Sequence, residues 1–335
     1  MTKPYLAILV GFPASGKSTL TKKILKEHSK KHPEQEITVV SRDQLGGSIK
    51  DWLPLIDYLL SENVSVIVDN THLTKASREA YIQIAKKRTI SITAHYLETT
   101  IEDCQIRYLY RTWNKYQDLF LTTPLPKDPN VYPPAVFFKA RKDLEIPATQ
   151  EGFDSVEITK GSLPKFDKVH FPNKALFMDI DGTLRETEHL PLKYPTEPSQ
   201  VQMIRDVKTV MRPTLQKYID DGYLLFGISN QSGIAKGSVT ENMVTQCMNR
   251  TKELLHLPTP FRNFPISFCP HRPAPIQCYC RKPQIGLPMY YILSQNVNPN
   301  QSIFIGDNTS DKTTAERLGM KFIYTKDFWI KPSTK

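Results

Sequence analysis

The sequence predicts two α/β domains in tandem, each a parallel sheet flanked by helices, and three observations carry that prediction. Short apolar stretches alternate with segments of helical spacing in both halves of the chain. A glycine-bearing turn, GFPASGKST at residues 11–19, stands between an apolar stretch at 5–10 and a helical one. A second apolar stretch, KALFMDI, ends in the carboxylate pair of MDIDGTL at 178–184 and opens a new alternation. With 335 residues there is length for two cores. The domains are expected at 1–160 and 174–335, joined through the turn-rich TKGSLPKFDKVHFPN.

In chain order, residues 5–10 read as a buried strand, and STLTKKILKEHSKKH as a helix with Leu20, Ile24 and Leu25 on one side. Strands follow at 37–40, 64–68 and 90–96, with helical stretches around 49–60 and 74–87. The five prolines of LTTPLPKDPNVYPPA exclude a regular helix or central strand at 121–135, leaving a surface loop. The second half gives strands at 175–180, 223–229 and 302–306, with a helix over VKTVMRPTLQKYIDDG. No repeat relates the halves.

The longest apolar runs fall well short of the roughly 20 residues of a membrane helix, and MTKPY lacks a signal peptide's apolar region. The expectation is an intracellular protein, cytoplasmic or nuclear, neither secreted nor membrane-bound. The net charge of +10 divides as 22 basic against 19 acidic residues before position 161, and 22 against 15 from there on. This balance suits phosphorylated substrates, whether nucleic acid or small molecules. Lys22, Lys23, Lys30 and Lys31 read as a solvated helix face. Cys104 and Cys247 read as buried thiols, whereas Cys269, Cys278 and Cys280 crowd into twelve residues, a metal-binding spacing.

Gly11, Gly16, Lys17 and Ser18 satisfy the GxxxxGK[ST] pattern in a strand-to-helix context. The backbone of Pro13, Ala14, Ser15 and Gly16 would cradle the phosphates of ATP, Lys17 would neutralise their oxygens, Ser18 would ligate Mg²⁺ and Thr19 would support the nucleotide. Asp43 in VVSRDQLGGS and Asp69 in VIVDNTHLTKASREAY stand at strand ends, where ligands bind in open α/β sheets. Phosphoryl transfer needs a carboxylate beside the acceptor hydroxyl, and Asp43 is the candidate base. Asp69 is the second choice, or a group near the metal.

Through GFPASGKST, SRDQLGGS, VDNTHLTKASREAYI and RKDLEIPATQEGFDSV this half resembles the kinase domain of the polynucleotide 5′-hydroxyl kinase / 3′-phosphatase family. The resemblance implies Asp43 as general base, Arg42 as a substrate-side group and a lid arginine on the ATP phosphates. Arg107 and Arg111 both fall in the matching region, and Arg111 is preferred. Gly46 stands where the phage-type branch has an acceptor-binding arginine, as in the animal-type branch. The aromatic and basic residues of IEDCQIRYLYRTWNKYQ could stack bases, but Ile106, Leu109, Tyr110, Trp113 and Tyr116 recur at helical spacing and read as a core face.

In the second half Asp179 and Asp181 emerge at a strand end, a geometry for covalent phosphoryl transfer. Asp179 would attack phosphorus, and Asp181 would protonate the leaving group and then activate water. Mg²⁺ held by Asp179, Asp307 and the carbonyl of Asp181 would offset the repulsion, with Asp311 as a helper. Ser229 and Asn230 would bond phosphoryl oxygens and Lys282 would neutralise the transition state. Cys269, His271, Cys278 and Cys280 form C-x-H-x₆-C-x-C, a set for tetrahedral structural Zn²⁺ fastening the loop 269–282 that carries Arg281 and Lys282 to the substrate.

Residues 175–327 resemble the haloacid-dehalogenase phosphatases, with Asp179 as nucleophile, Asp181 as acid/base and Ser229, Lys282 and Asp307 in the usual order. SNQSGIAKG and CPHRPAPIQCYCRKP are most similar to the heptose-bisphosphate and histidinol-phosphate members. The combination implies an end-healing enzyme that phosphorylates 5′-hydroxyl ends with ATP and removes 3′-phosphates from DNA or RNA, ahead of ligases or other repair enzymes. A small-molecule kinase fused to a sugar- or histidinol-phosphate phosphatase is the alternative.

Overall fold

Two five-stranded parallel sheets organise the chain. The computed structural model describes residues 3–47, 49–120, 128–275 and 278–330. Contacts divide the chain into one unit of Met1–Tyr108 with Pro126–Leu163 and another of Leu109–Leu125 with Pro164–Lys335.

In the first unit the strands are β1 (Tyr5–Val10), β2 (Ile37–Ser41), β3 (Ser65–Asp69), β4 (Ser91–Glu98) and β5 (Ser155–Lys160), in the order β2-β3-β1-β4-β5. Helices α1 (Lys17–Lys31), α2 (Arg42–Leu45), α3 (Ile49–Ser61), α4 (Lys75–Arg88), α5 (Ile101–Tyr116) and α6 (Ala135–Asp143) connect or follow them, the residues of α5 from Leu109 on being counted with the second unit. Alternation in β1 explains its central place. Leu6, Ile8 and Val10 face one core with Trp52, Ile56, Tyr81 and Ile82, while Ala7 and Leu9 face another with Leu20 and Ile67. Each fully buried Leu, Ile or Val among them contributes about 1.5–3 kcal/mol.

The second unit orders its sheet β10-β9-β6-β11-β12, from β6 (Lys174–Met178), β9 (Tyr223–Asn230), β10 (Ile266–Cys269), β11 (Ile303–Gly306) and β12 (Lys321–Tyr324). A short antiparallel pair, β7 (Arg185–Glu186) and β8 (Gln202–Met203), lies between β6 and β9 in sequence. Helices α7 (Arg212–Asp220), α8 (Gly233–Lys236), α9 (Glu241–Leu255), α10 (Gly286–Ser294), α11 (Thr309–Leu318) and α12 (Thr325–Phe328) complete it. Leu176 and Met178 pack with Leu215, Val244 and Met248. Phe177, pointing the other way, stacks against Phe304 and meets Phe226 at a tilt.

Several elements differ from the sequence reading. SVEITK forms β5, paired in parallel with β4; Val156 rests against the core while Ile158 is exposed, so two apolar residues are all that mark this edge strand in the sequence. β10 and β12 were also not read: they are as short as β11 but, at the sheet's two edges, mostly half-buried or exposed where β11 is buried throughout. The helix expected over 207–222 begins as one π-helical turn at Val207–Met211. Pro213, which has no N–H to donate, stands at the start of α7 immediately after that turn. Of the proline-rich loop, residues 121–127 lie outside the described residues.

Candidate functional site

In the first unit β1 ends in the glycine turn, and α1 starts at Lys17 with Gly16 as its N-cap in the left-handed region (φ 102). Ala14 is also left-handed (φ 57), so the loop winds tightly over its own backbone. Lys17 Nζ donates to the carbonyls of Phe12 at 2.7 Å and Gly11 at 3.2 Å, folding its ammonium across the loop. Ser15 is buried, while Ser18 and Thr19 are exposed at the helix start, where orphan N–H groups favour anions.

β3 lies beside β1, and Asp69 at its end accepts from Thr21 Oγ1 at 3.3 Å. Arg42 and Asp43 fall in α2, directly after β2; Arg42 is exposed, and the side chain of Asp43 lies outside the described residues. The glycine loop, Asp69 and α2 therefore follow the ends of three adjacent strands.

The two candidate arginines part company. Arg107 Nη1 donates to Ser15 O at 2.6 Å, and a Cβ on Gly16 would come within 2.6 Å of the same nitrogen. Arg111, one helical turn on, is exposed and belongs to the second unit. The aromatic face of α5 is packed: Tyr110 meets Phe166 and Trp113 meets Tyr290 edge-on.

One residue the motifs did not flag is Arg78, wholly buried. It forms a two-pronged pair with Glu151 at 2.7 and 2.8 Å and donates to the carbonyls of His72, Leu73 and Glu145. This ties the segment after β3 to the chain before β5. His72, with its Nδ1 2.8 Å from Leu9 O, is held by burial down to a pKa of about 4.

In the second unit a cavity of about 520 Å³ opens over the strand ends. Asp179, Asp307 and Asp311 bring carboxylate oxygens within 4.8 Å of one another. Lys282 Nζ bonds Asp179, Asp311 Oδ1 (2.7 Å) and Ile228 O (2.9 Å) from a fully buried position. Burial, with the charges of Asp311 and Asp307, holds Asp179 well above the usual carboxylate range against the pull of Lys282. Burial would lower Lys282, but Asp179 and Asp311 raise it. Burial and Asp311 also raise Asp307. Such a mutually repelling oxygen set fits a hard divalent cation.

Asp311 also accepts from the Asn308 N–H at 3.1 Å, the reciprocal arm of a capping box that starts α11. Ser229 lines the cavity. Asn230 does too, but its side chain exchanges hydrogen bonds with the backbone of Lys282, at 3.0 and 3.1 Å, so it anchors that residue. Arg281 lines the cavity and donates to His271 O at 3.3 Å. The carboxylate of Asp181 stands apart from the trio, bonded to Arg185, which no motif singled out, and to Gln231, which lies in SNQSGIAKG but was given no role there.

Beside the cavity, Cys269, His271, Cys278 and Cys280 gather their ligand atoms within 4.8 Å. Cys269 Sγ lies 3.7 Å from Cys278 Sγ and 3.4 Å from His271 Nδ1, which is 3.3 Å from Cys280 Sγ. Ligands at about 2.3 Å (sulfur) and 2.0–2.1 Å (nitrogen) on a tetrahedral ion stand near these separations, so the set fits zinc.

Comparison with known proteins adds the following. Residues 174–329 match the family model described as polynucleotide kinase 3 phosphatase, and residues 6–120 match one described as an AAA domain. A D-glycero-beta-D-manno-heptose-1,7-bisphosphate 7-phosphatase of Haemophilus ducreyi is 33% identical over 153 residues, spanning 44% of this chain and 80% of that protein. A probable D-glycero-D-manno-heptose-1,7-bisphosphate 7-phosphatase of Thermoplasma volcanium is 32% identical over 150 residues, spanning 44% of this chain and 96% of that protein. A solved fungal RNA kinase is 17% identical, with a TM-score of 0.36, over 49% of this chain and 40% of that one.

Proposed function

As a chain that belongs over residues 174–329 to the polynucleotide kinase 3 phosphatase family, with a P-loop kinase domain ahead of it, this is an enzyme of two phosphoryl chemistries, and we propose that it heals nucleic-acid ends. The N-terminal domain phosphorylates 5′-hydroxyl ends with ATP, and the C-terminal domain removes 3′-phosphates, leaving ends that a ligase can join. The observation that carries this reading is the pairing on one chain of a glycine loop at 11–19 with a carboxylate cavity in a domain of that family.

In the kinase domain the loop backbone from Gly11 to Thr19 and Lys17 hold the ATP phosphates, and Ser18 would hold Mg²⁺ with Asp69 as a group near the metal. Asp43 takes the proton of the acceptor hydroxyl, with Arg42 on the substrate side. Arg107, seated on the loop at Ser15, serves the phosphates in place of the exposed Arg111.

In the phosphatase domain Asp179 attacks phosphorus as the ester P–O bond breaks, and Asp181 gives its proton to the leaving oxygen. Asp181 then takes a proton from the water that releases phosphate from Asp179. Ser229 and Lys282 steady the phosphoryl oxygens. Mg²⁺ held by Asp179, Asp307 and the Asp181 carbonyl, with Asp311 close by, would supply charge neutralisation. Cys269, His271, Cys278 and Cys280 would hold zinc, which would fasten the loop bearing Arg281 and Lys282.

A second reading, a metabolite kinase fused to a sugar- or histidinol-phosphate phosphatase, is favoured by the likeness to the two heptose-bisphosphate phosphatases. Incubation of 5′-hydroxyl and 3′-phosphate oligonucleotides, as DNA and as RNA, with γ-labelled ATP separates the two. Label on the 5′ end and phosphate from the 3′ end are expected, with Asp43→Ala losing only the first and Asp179→Ala only the second. Oligonucleotides left untouched while a heptose bisphosphate is hydrolysed would overturn the end-healing reading.

A further inference from the structure

The acid/base carboxylate is gripped from outside the cavity. After Asp181 the chain reverses: Gly182 N donates to Arg185 O at 2.9 Å and Arg185 N donates to Ile180 O at 3.0 Å. Gly182 makes this reversal in the left-handed region (φ 79), and Arg185 then pairs with Met203 in the β7–β8 ribbon. The reversal turns the Arg185 side chain inward, 1% exposed, with Nε 2.6 Å from Asp181 Oδ1. Gln231, also buried, donates Nε2 to Asp181 Oδ2 at 2.6 Å and to Ser229 Oγ at 2.7 Å. Asp181 faces the cavity, whereas neither Arg185 nor Gln231 is among the described residues lining it.

A guanidinium in this position carries a large desolvation penalty. Its Nη1 has no hydrogen-bond partner among the described residues, so the arginine is not there to satisfy a complete polar network. What it does accomplish is to hold one oxygen of Asp181 while Gln231 holds the other. The carboxyl group is thereby fixed in rotation.

We propose that Arg185 is a positioning residue for the phosphatase reaction, setting the orientation in which Asp181 meets the leaving oxygen. The proposal rests on Asp181 being the acid/base of the preceding section. As the bond from phosphorus to the alcohol oxygen breaks and that from Asp179 forms, the alcohol oxygen takes the Asp181 proton. An alkyl alcohol needs that proton to leave, and a nitrophenolate leaves without it. Loss of positioning therefore slows alkyl phosphates more than p-nitrophenyl phosphate, whereas a general loss of structure slows both alike.

The full chain and its Asp181→Asn, Arg185→Met and Arg185→Gln variants are assayed on p-nitrophenyl phosphate and on an alkyl phosphate monoester that the parent hydrolyses, with thermal melting in parallel. Asp181→Asn is expected to lower the alkyl-to-aryl ratio of kcat/KM, which reports the leaving-group step and not the later release of phosphate, by about 100-fold, and both Arg185 variants by about tenfold in the same direction. An unchanged ratio in the Arg185 variants, with Asp181→Asn still selective, overturns the positioning role alone. An unchanged ratio in Asp181→Asn overturns the acid/base reading and the proposal with it. If Arg185→Met is inactive on both substrates, the ratio of Arg185→Gln decides.

Discussion

Replacing Lys282 by methionine removes the buried cation that bonds both Asp179 and Asp311, and its effect can be worked from the distances. At 2.7 Å from Asp311 Oδ1, the gross attraction of that pair is about 6 kcal/mol at an effective dielectric constant of about 20. Desolvation of the charged groups offsets part of it, and breaking a buried pair of this kind leaves a net loss of about 3–5 kcal/mol. For turnover, loss of one preorganised donor aimed at the phosphoryl oxygens lowers kcat by about 10²–10³. The assay combines p-nitrophenyl phosphate hydrolysis, urea unfolding of the phosphatase domain and 5′-labelling as an internal control. Lys282→Met should lose hydrolysis and phosphatase stability while labelling stays at the parent level. Hydrolysis within about tenfold of the parent would refute the transition-state role of Lys282. Stability changed by less than about 1 kcal/mol would refute its role in offsetting the carboxylates.

Three further outcomes are expected. His72 is buried with its pKa held at about 4, so below about pH 6.5 the unfolded chain gains a proton that the folded one does not. Kinase-domain stability present near neutrality should therefore fall by about 3 kcal/mol between pH 6.5 and pH 4, and urea midpoints of the parent should converge on the flatter profile of His72→Gln. Gly16→Ala places a Cβ at φ 102 and 2.6 Å from Arg107 Nη1, a strain of about 1–3 kcal/mol; 5′-labelling should weaken by about tenfold or more, with hydrolysis unaffected. Chelation strong enough to strip zinc should lower the melting temperature and hydrolysis of the phosphatase domain while labelling persists. Hydrolysis indifferent to stripping would count against a fastening role for the Cys269–Cys280 loop.

The two-domain α/β architecture was legible because its inner strands, β1, β3, β6 and β11, are buried almost throughout and its glycine loop and carboxylate pair are each set by a few adjacent residues. The edge strand β5 was not legible, since its alternation runs over only two apolar residues, Val156 and Ile158, and Ile158 is exposed. Lys282 and Asp307 could be named from motifs, but the strong bond from Lys282 to Asp311 appears only when β11 and the 269–282 loop converge. Arg185 was hidden for a related reason. A charged residue beside DGTL reads as a solvated start of a loop until the Gly182 reversal sends it inward. The preference for Arg111 over Arg107 came from a helix whose spacing cannot say which turn meets the glycine loop.

Asp311 serves two masters, since one of its oxygens closes the start of α11 and the other meets Lys282. A helix that begins on a reactive-site charge cannot loosen at that end without disturbing the charge, and cannot be retuned there without fraying. The amides at the start of α11, partly exposed but held by the capping bonds of Asn308 and Asp311, should therefore exchange more slowly than their exposure alone would allow. Asp311→Asn tells these obligations apart, because asparagine can still accept the Asn308 N–H but carries no charge to Lys282. In that variant the slow amides should persist while turnover declines.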